Sequence, residues 1–384
     1  MSEIHTHDQE LKRDPAIELA RWIGCLIVIG CHTYLPIISG DNYDAGRLFF
    51  GLIFADGVAI FWLIGGAFLF NNTEYSKLLL RSVEKILLPM FLIGFIYICF
   101  ESVAEGNLSF FNIITKLKVV FQNLWMWKNG FPSYEHSWYV YIYMLLMVAF
   151  PALKGVVTFA EQVRHRKYVI ICGMIVFLTI NDLSHNHIAS FSHYMFNGLC
   201  AASLFTLIGH YLYQSRMRFQ KKRYVFITPL IFTASTLIRE MIQQNRGVND
   251  MSIMYWYSLF GVIAASCVLI FCIALIPNKK ATRCNKLICY LASYTFHIYL
   301  LHVLFIKIFD STGISEYLEN MILTWNSGMI GEAIYMIIFI SMVFWSSFIA
   351  VFIFRSILRT CLKFVDSSKD KETIEQEDTN RSVQ

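Results

Sequence analysis

Arg21 and His32 stand eleven residues apart, separated by the apolar run Trp22-Ile-Gly-Cys-Leu-Ile-Val-Ile-Gly-Cys31. On a helix of 3.6 residues per turn that spacing is three turns plus about 20°, so both share one face, roughly 16 Å apart along the axis. Ionisable groups inside an apolar segment are costly and mark functional sites. A histidine titrating near neutrality can act as a general base. It could equally close an interhelical hydrogen bond. Arginine is always charged and grips phosphate oxygens in pairs. Its bland partner is Glu18, one turn earlier, with the stem snorkelling to headgroups.

Other residues could join this pair. Arg81 and Lys85 precede Pro89. Four apart, they share a helix face and could cradle an anionic cosubstrate or simply anchor the inner surface. Asp56, inside the second apolar run, needs a partner. It could orient His32, bind a substrate hydroxyl or tie two helices together. Glu101 is a weaker case of the same kind. His136-Ser-Trp138-Tyr139 and Tyr299-Leu-Leu-His302 bring two more histidines towards the same outer face, as vestibule lining or as interfacial anchors. His185, His187 and His193 lack an acid or cysteine at ligand spacing, so no metal is expected. There is no glycine-rich phosphate loop, nucleophile elbow or His-Glu-x-x-His.

The elements that must position these residues are membrane helices. Of 384 residues, 56% are hydrophobic and 15% charged, against about a quarter charged in soluble domains. Mean hydropathy is +0.52. The net charge of +5 is spread over short loops and forms no nucleic-acid patch. The cysteines lie mostly in apolar runs, which argues against a disulfide framework. The polar start through Pro15 reads as a retained cytoplasmic tail without a cleavage site.

Spans of about 20 apolar residues are expected at 17–39, 47–71, 86–104, 137–157, 168–183, 195–214, 224–242, 252–276, 287–309 and 329–358. The expectation is therefore an all-α polytopic membrane protein of about ten transmembrane helices, with both termini cytoplasmic. Alternating from a cytoplasmic N-terminus leaves only Arg47, Lys116, Lys118, Lys128, Arg239, Arg246 and Lys307 outside, of 32 Lys and Arg. That is the positive-inside bias. Within the long outer loop 105–136, Ile113–Trp127 is amphipathic and suited to the interface. The chain divides into a cytoplasmic tail 1–14, a membrane domain 15–363 and a polar tail 364–384 expected to be disordered.

The Arg21–ten–His32 element resembles the first-span signature of the membrane acyltransferase-3 family, and Glu18-Leu-Ala-Arg21 resembles its acidic-x-x-Arg start. Further pieces follow in the family's order: Phe61-Trp-Leu-Ile-Gly-Gly-Ala-Phe68, Arg81–Pro89, His136-Ser-Trp138-Tyr139, Phe196-Asn-Gly198 with Gly209-His-Tyr211, and Ser293-Tyr-Thr-Phe-His-Ile-Tyr299-Leu-Leu-His302. The likeness covers about residues 12–360. Two features depart from it: Gly65-Gly66 replaces the usual Ser-Gly, and the basic pair is part lysine. The resemblance implies transfer of an acyl group, commonly acetyl, from cytoplasmic acyl-CoA to a hydroxyl of an extracytoplasmic or lipid-linked glycan. It implies Arg21, Arg81 and Lys85 on the donor phosphates of acetyl-CoA. His32 would be base or acyl carrier, with Glu18 holding Arg21. Asp56, His136, Trp138, Tyr299 and His302 would take the acceptor side. A cell-membrane setting follows, in a bacterial inner or cytoplasmic membrane, with the bilayer as partner. The alternative is a glycan or small-amphiphile transporter of the same superfamily, though the inverted repeats common in transporters are missing from the sequence.

Overall fold

The computed structural model describes residues 13–38, 45–71, 74–125, 135–163, 165–183, 191–246, 258–277, 280–326 and 328–381. The order is α1 (Pro15–Ile38), α2 (Ala45–Phe54), α3 (Gly57–Leu69), α4 (Tyr75–Ser82), a π-turn at Val83–Leu87, α5 (Leu88–Ala104) and α6 (Phe110–Trp125). A 3₁₀ turn at Glu135–Ser137 leads into α7 (Trp138–Glu161), α8 (Arg166–Leu183), α9 (Phe191–Gln214), α10 (Arg216–Phe219) and α11 (Arg223–Arg246). The chain ends with α12 (Leu259–Leu275), α13 (Arg283–Ala292), α14 (Thr295–Ser311), α15 (Ile314–Trp325) and α16 (Met329–Arg381). No strand occurs among the described residues. This is what a bilayer demands, since backbone polar groups there must be satisfied within the segment.

Every expected span coincides with a helix or a pair of helices. Among the described residues six helices are long and apolar enough to cross a membrane, or seven if the bent pair α13–α14 counts as one span. α12, with 17 residues, lies at the lower limit of length. α9 carries Asn197, Thr206 and His210, all buried inside the protein. The expected interfacial stretch forms α6, whose Phe110, Phe111 and Phe121 are exposed, as a helix lying against lipid requires. One feature differs from expectation. Residues 314–325, within a stretch read as an outer loop, form α15. The backbone of α16 is helical to Arg381, and Lys, Glu and Gln in its last part favour helix.

α1 runs through the middle of the bundle and meets α2, α3, α12, α13, α14 and α16. Its Ala16, Ile17, Ala20, Cys25 and Ile29 are fully buried, so Arg21 and His32 are held on a helix packed on several sides. α3 and α9 approach backbone to backbone. A Cβ on Gly66 would collide with the Thr206 carbonyl, and one on Gly209 with the Leu63 carbonyl. Small residues of this kind let membrane helices pack without a hydrophobic driving force.

Three interruptions shape the site. The second span breaks between α2 and α3 at Ala55–Asp56. The π-turn at Val83–Leu87 shifts side-chain register before α5. α13 and α14 meet at 56° around Ser293–Tyr294. The carbonyl of Ser293, left open by this bend, accepts a hydrogen bond from Arg355 at 3.1 Å.

Candidate active site

A cavity of about 450 Å³ opens beside the first half of α1. Arg13, Arg21, Lys85 and His297 supply its basic lining; Phe61, Trp62, Tyr139, Tyr143 and Tyr299 supply the aromatic one. Among the described residues no Asp or Glu lines it. Arg21 is fixed by Glu18, whose two carboxylate oxygens accept from its Nη1 at 3.3 and 3.1 Å. Glu18 is buried, and Arg13 approaches it at 3.9 Å. Arg355 donates to Nδ1 of His297 at 3.0 Å. The cavity can therefore accept an anion of several charges together with a planar or aliphatic portion.

The second half of α1 leads to a different grouping. His32 from α1, His136 from the 3₁₀ turn and His302 from α14 form a triangle. Ring centroids lie 5.0 Å apart for His32–His302 and His136–His302, and 5.6 Å apart for His32–His136. His136 and His302 are fully buried, while His32 is half-buried. Of the three, His32 is the most exposed. Among the described residues no set of three or more His, Cys, Asp or Glu is placed to hold a metal ion.

Tyr299 joins the two regions. It lines the cavity, donates through its hydroxyl to the His136 carbonyl at 2.6 Å, and packs 5.7 Å from His302 and 5.8 Å from His136. Phe61, Tyr139 and Tyr299 pack on one another with centroids 5.4 to 6.2 Å apart. This aromatic layer stands between the cavity and the histidines, none of which lines the cavity.

The structure thus gathers His32, His136, Tyr299 and His302, and separately Glu18, Arg21 and Lys85. Arg81 does not join them. It is exposed and lies outside the cavity lining, because the π-turn re-aims the residues that follow it, Lys85 among them. Glu18 cannot share a reaction centre with His32: fourteen residues along α1 amount to about 21 Å. Its contacts make it a support for Arg21. Asp56 does not orient His32. Its Oδ2 accepts from Arg239 at 2.9 Å, both residues are buried, and Oδ1 has no hydrogen-bond partner. Trp138 packs edge-on against Tyr139 and does not line the cavity. His185 and His187 lie outside the described residues.

Four contributors escaped the sequence reading. Arg13 was counted only as an inner charge, and Arg239 only as an outer one, although a basic residue in the run Thr236-Leu-Ile-Arg239 signals a buried partner. His297 lay inside a quoted motif. Arg355, at the end of an apolar run, counts in the sequence only as an inner charge.

Bundle and site together define a polytopic membrane protein in which a basic cavity and a half-buried imidazole lie along one helix. Residues 14–357 match the family model described as an acyltransferase domain, that of acyltransferase-3. The chain belongs to that family and is a membrane acyltransferase. No curated protein and no solved structure shows significant similarity to it.

Proposed function

We propose that this protein transfers an acetyl group from cytoplasmic acetyl-CoA to a hydroxyl of an extracytoplasmic or lipid-linked glycan in the cell membrane. One observation carries the reading: a basic, acid-free cavity at Arg21 and a histidine cluster at His32 are strung along the same helix with an aromatic layer between them. Donor phosphates meet Arg13, Arg21 and Lys85, where paired and charge-assisted bonds are strongest. The pantetheine arm follows the aromatic wall to Tyr299 and passes the layer when one of its rings turns.

At His32 the chemistry is general base catalysis. The acceptor hydroxyl gives its proton to the imidazole as its oxygen attacks the thioester carbonyl. The C–S bond breaks, and the proton leaves with the sulfur as CoA thiol. Tyr299 and His136, bonded to each other through a backbone carbonyl, keep the wall of the acceptor side in place.

The test uses the full-length protein in phospholipid vesicles with radiolabelled acetyl-CoA and a cell-envelope glycan extract. Label is expected to move to glycan. His32→Ala is expected to lose at least about 10²-fold in rate, the usual contribution of a general base, at unchanged protein level. Glycan labelled at the normal rate by His32→Ala rejects the assignment of the base.

A further inference from the structure

His302 differs from its two neighbours in what its ring nitrogens do. Its Nδ1 lies 2.5 Å from the Tyr299 carbonyl. A carbonyl only accepts, so Nδ1 carries the hydrogen, and in the neutral ring Nε2 is a bare acceptor. That Nε2 is buried and has no hydrogen-bond partner among the described residues, on a side chain with 0% exposure. Buried polar atoms are nearly always paired, and one left open calls for a reason. His136 is set differently, with its Nε2 3.3 Å from the Leu300 carbonyl.

Of the three rings that pack on His302 among the described residues, His136 and Tyr299 are buried and His32 is not. The His32 ring lies 5.0 Å away, centroid to centroid, and is half-buried. At that separation a ring rotation brings an imidazole N–H of one residue to about 3 Å from a nitrogen of the other. Asp56, the acid with the strongest sequence claim to orient His32, is committed to Arg239.

We infer that His302 is the positioning residue for His32: its bare Nε2 accepts the N–H of the His32 imidazole and so presents the opposite nitrogen lone pair to the acceptor hydroxyl. The inference rests on the acyl-transfer reading above. In the step itself the hydroxyl O–H bond breaks and its proton goes to His32. The oxygen–acyl bond forms as the thioester C–S bond breaks, and CoA thiol carries the proton away. His302 gains and loses no proton. It fixes which nitrogen of His32 is protonated, and its lone pair faces the N–H that remains when His32 becomes imidazolium. A carboxylate does this for histidine in serine proteases; here the tautomer of His302, locked by a backbone carbonyl, supplies the acceptor.

Two substitutions divide the functions of the ring. His302→Asn keeps a donor where Nδ1 sits and removes the acceptor. His302→Gln keeps an acceptor near the place of Nε2 and removes the donor. Both are assayed as full-length protein in vesicles with radiolabelled acetyl-CoA and envelope glycan extract, beside wild type, His32→Ala and the double variant His32→Ala/His302→Asn. The expected result for His302→Asn is a loss of about 10²-fold in kcat with the KM for acetyl-CoA unchanged. His302→Gln is expected to recover to within about 10-fold of wild type, and the double variant to be no slower than His32→Ala alone, because residues acting as a unit are not additive. Equal losses in Asn and Gln variants, wild-type rates in both, or additive losses in the double variant overturn the inference while leaving acyl transfer standing. Label that stays on CoA with wild-type protein overturns both.

Discussion

Arg21 meets two demands that pull against each other. It must stay charged next to apolar helices, and it must remain available to a ligand. Glu18 resolves this by accepting from a single nitrogen, Nη1, with both carboxylate oxygens, which leaves donors of the guanidinium fork for phosphate. Lys85 has no such ion-pair partner among the described residues and lines the same cavity. Lys85→Gln is therefore expected to raise the KM for acetyl-CoA about 10-fold, the worth of one charge-assisted hydrogen bond. Arg81→Gln is expected to leave it unchanged. Steady-state rates over a range of acetyl-CoA concentrations decide; equal effects of the two variants would return Arg81 to the donor site. The sequence placed Arg81 and Lys85 together because residues four apart share a face of an α-helix, and it could not foresee the π-turn between them. Arg21, Glu18 and His32 were legible because their spacing on one continuous helix fixes their relation. The pairing of Asp56 with Arg239 was not, since it joins residues 183 positions apart in the chain.

At the scale of elements, α1 is the rod on which the site is strung, and α3 is the wall that closes it. Gly65 and Gly66 show how finely that wall is divided. Gly65 lines the cavity, and a Cβ there would meet nothing within 4 Å. Gly66, the next residue, faces the backbone of α9. Gly66→Ala is expected to push α3 and α9 apart at a cost of about 1–3 kcal/mol, as overpacking does, while Gly65→Ser is expected to be accommodated. Thermal unfolding midpoints in detergent, read by size-exclusion recovery, separate the two. A stable Gly66→Ala protein would contradict the close approach. The helices themselves were legible from hydropathy, which registers apolar length. Their interruptions were not: the break at Ala55–Asp56, the π-turn and the bend at Ser293–Tyr294 fall inside or beside continuous apolar runs. They are held by partners elsewhere in the chain, as Arg355 holds the Ser293 carbonyl. The π-turn and the bend put Lys85, Ile86 and Ser293 in the cavity wall, so the site was read less completely than the scaffold.

For the whole molecule the decisive property is sidedness. In the proposed reaction the cavity at Arg21 and the histidine cluster at His32, on opposite halves of one helix, carry an acyl group across the membrane only if the Arg21 end faces the compartment that contains acyl-CoA. The charge distribution argues for this. Arg216 and Arg218 lie in α10, Lys221, Lys222 and Arg223 follow it, and Arg13 and Lys85 line the cavity itself. Lys116 and Lys307 instead pair with Glu105 and Glu101, which offsets their charge on the other face. Lysine and arginine in short loops are retained in the cytoplasm, so the cavity is expected to open inward and α6 to lie on the outer surface. Single cysteines at Gln162 and Asn107, in a background with the native cysteines replaced, provide the check. In intact cells a membrane-impermeant maleimide is expected to label Asn107→Cys and to reach Gln162→Cys only after the membrane is opened. The reverse pattern would turn the molecule over, put Arg21 and Lys85 out of reach of cytoplasmic acyl-CoA, and remove the physical reason for separating Arg21 from His32 by three turns of α1.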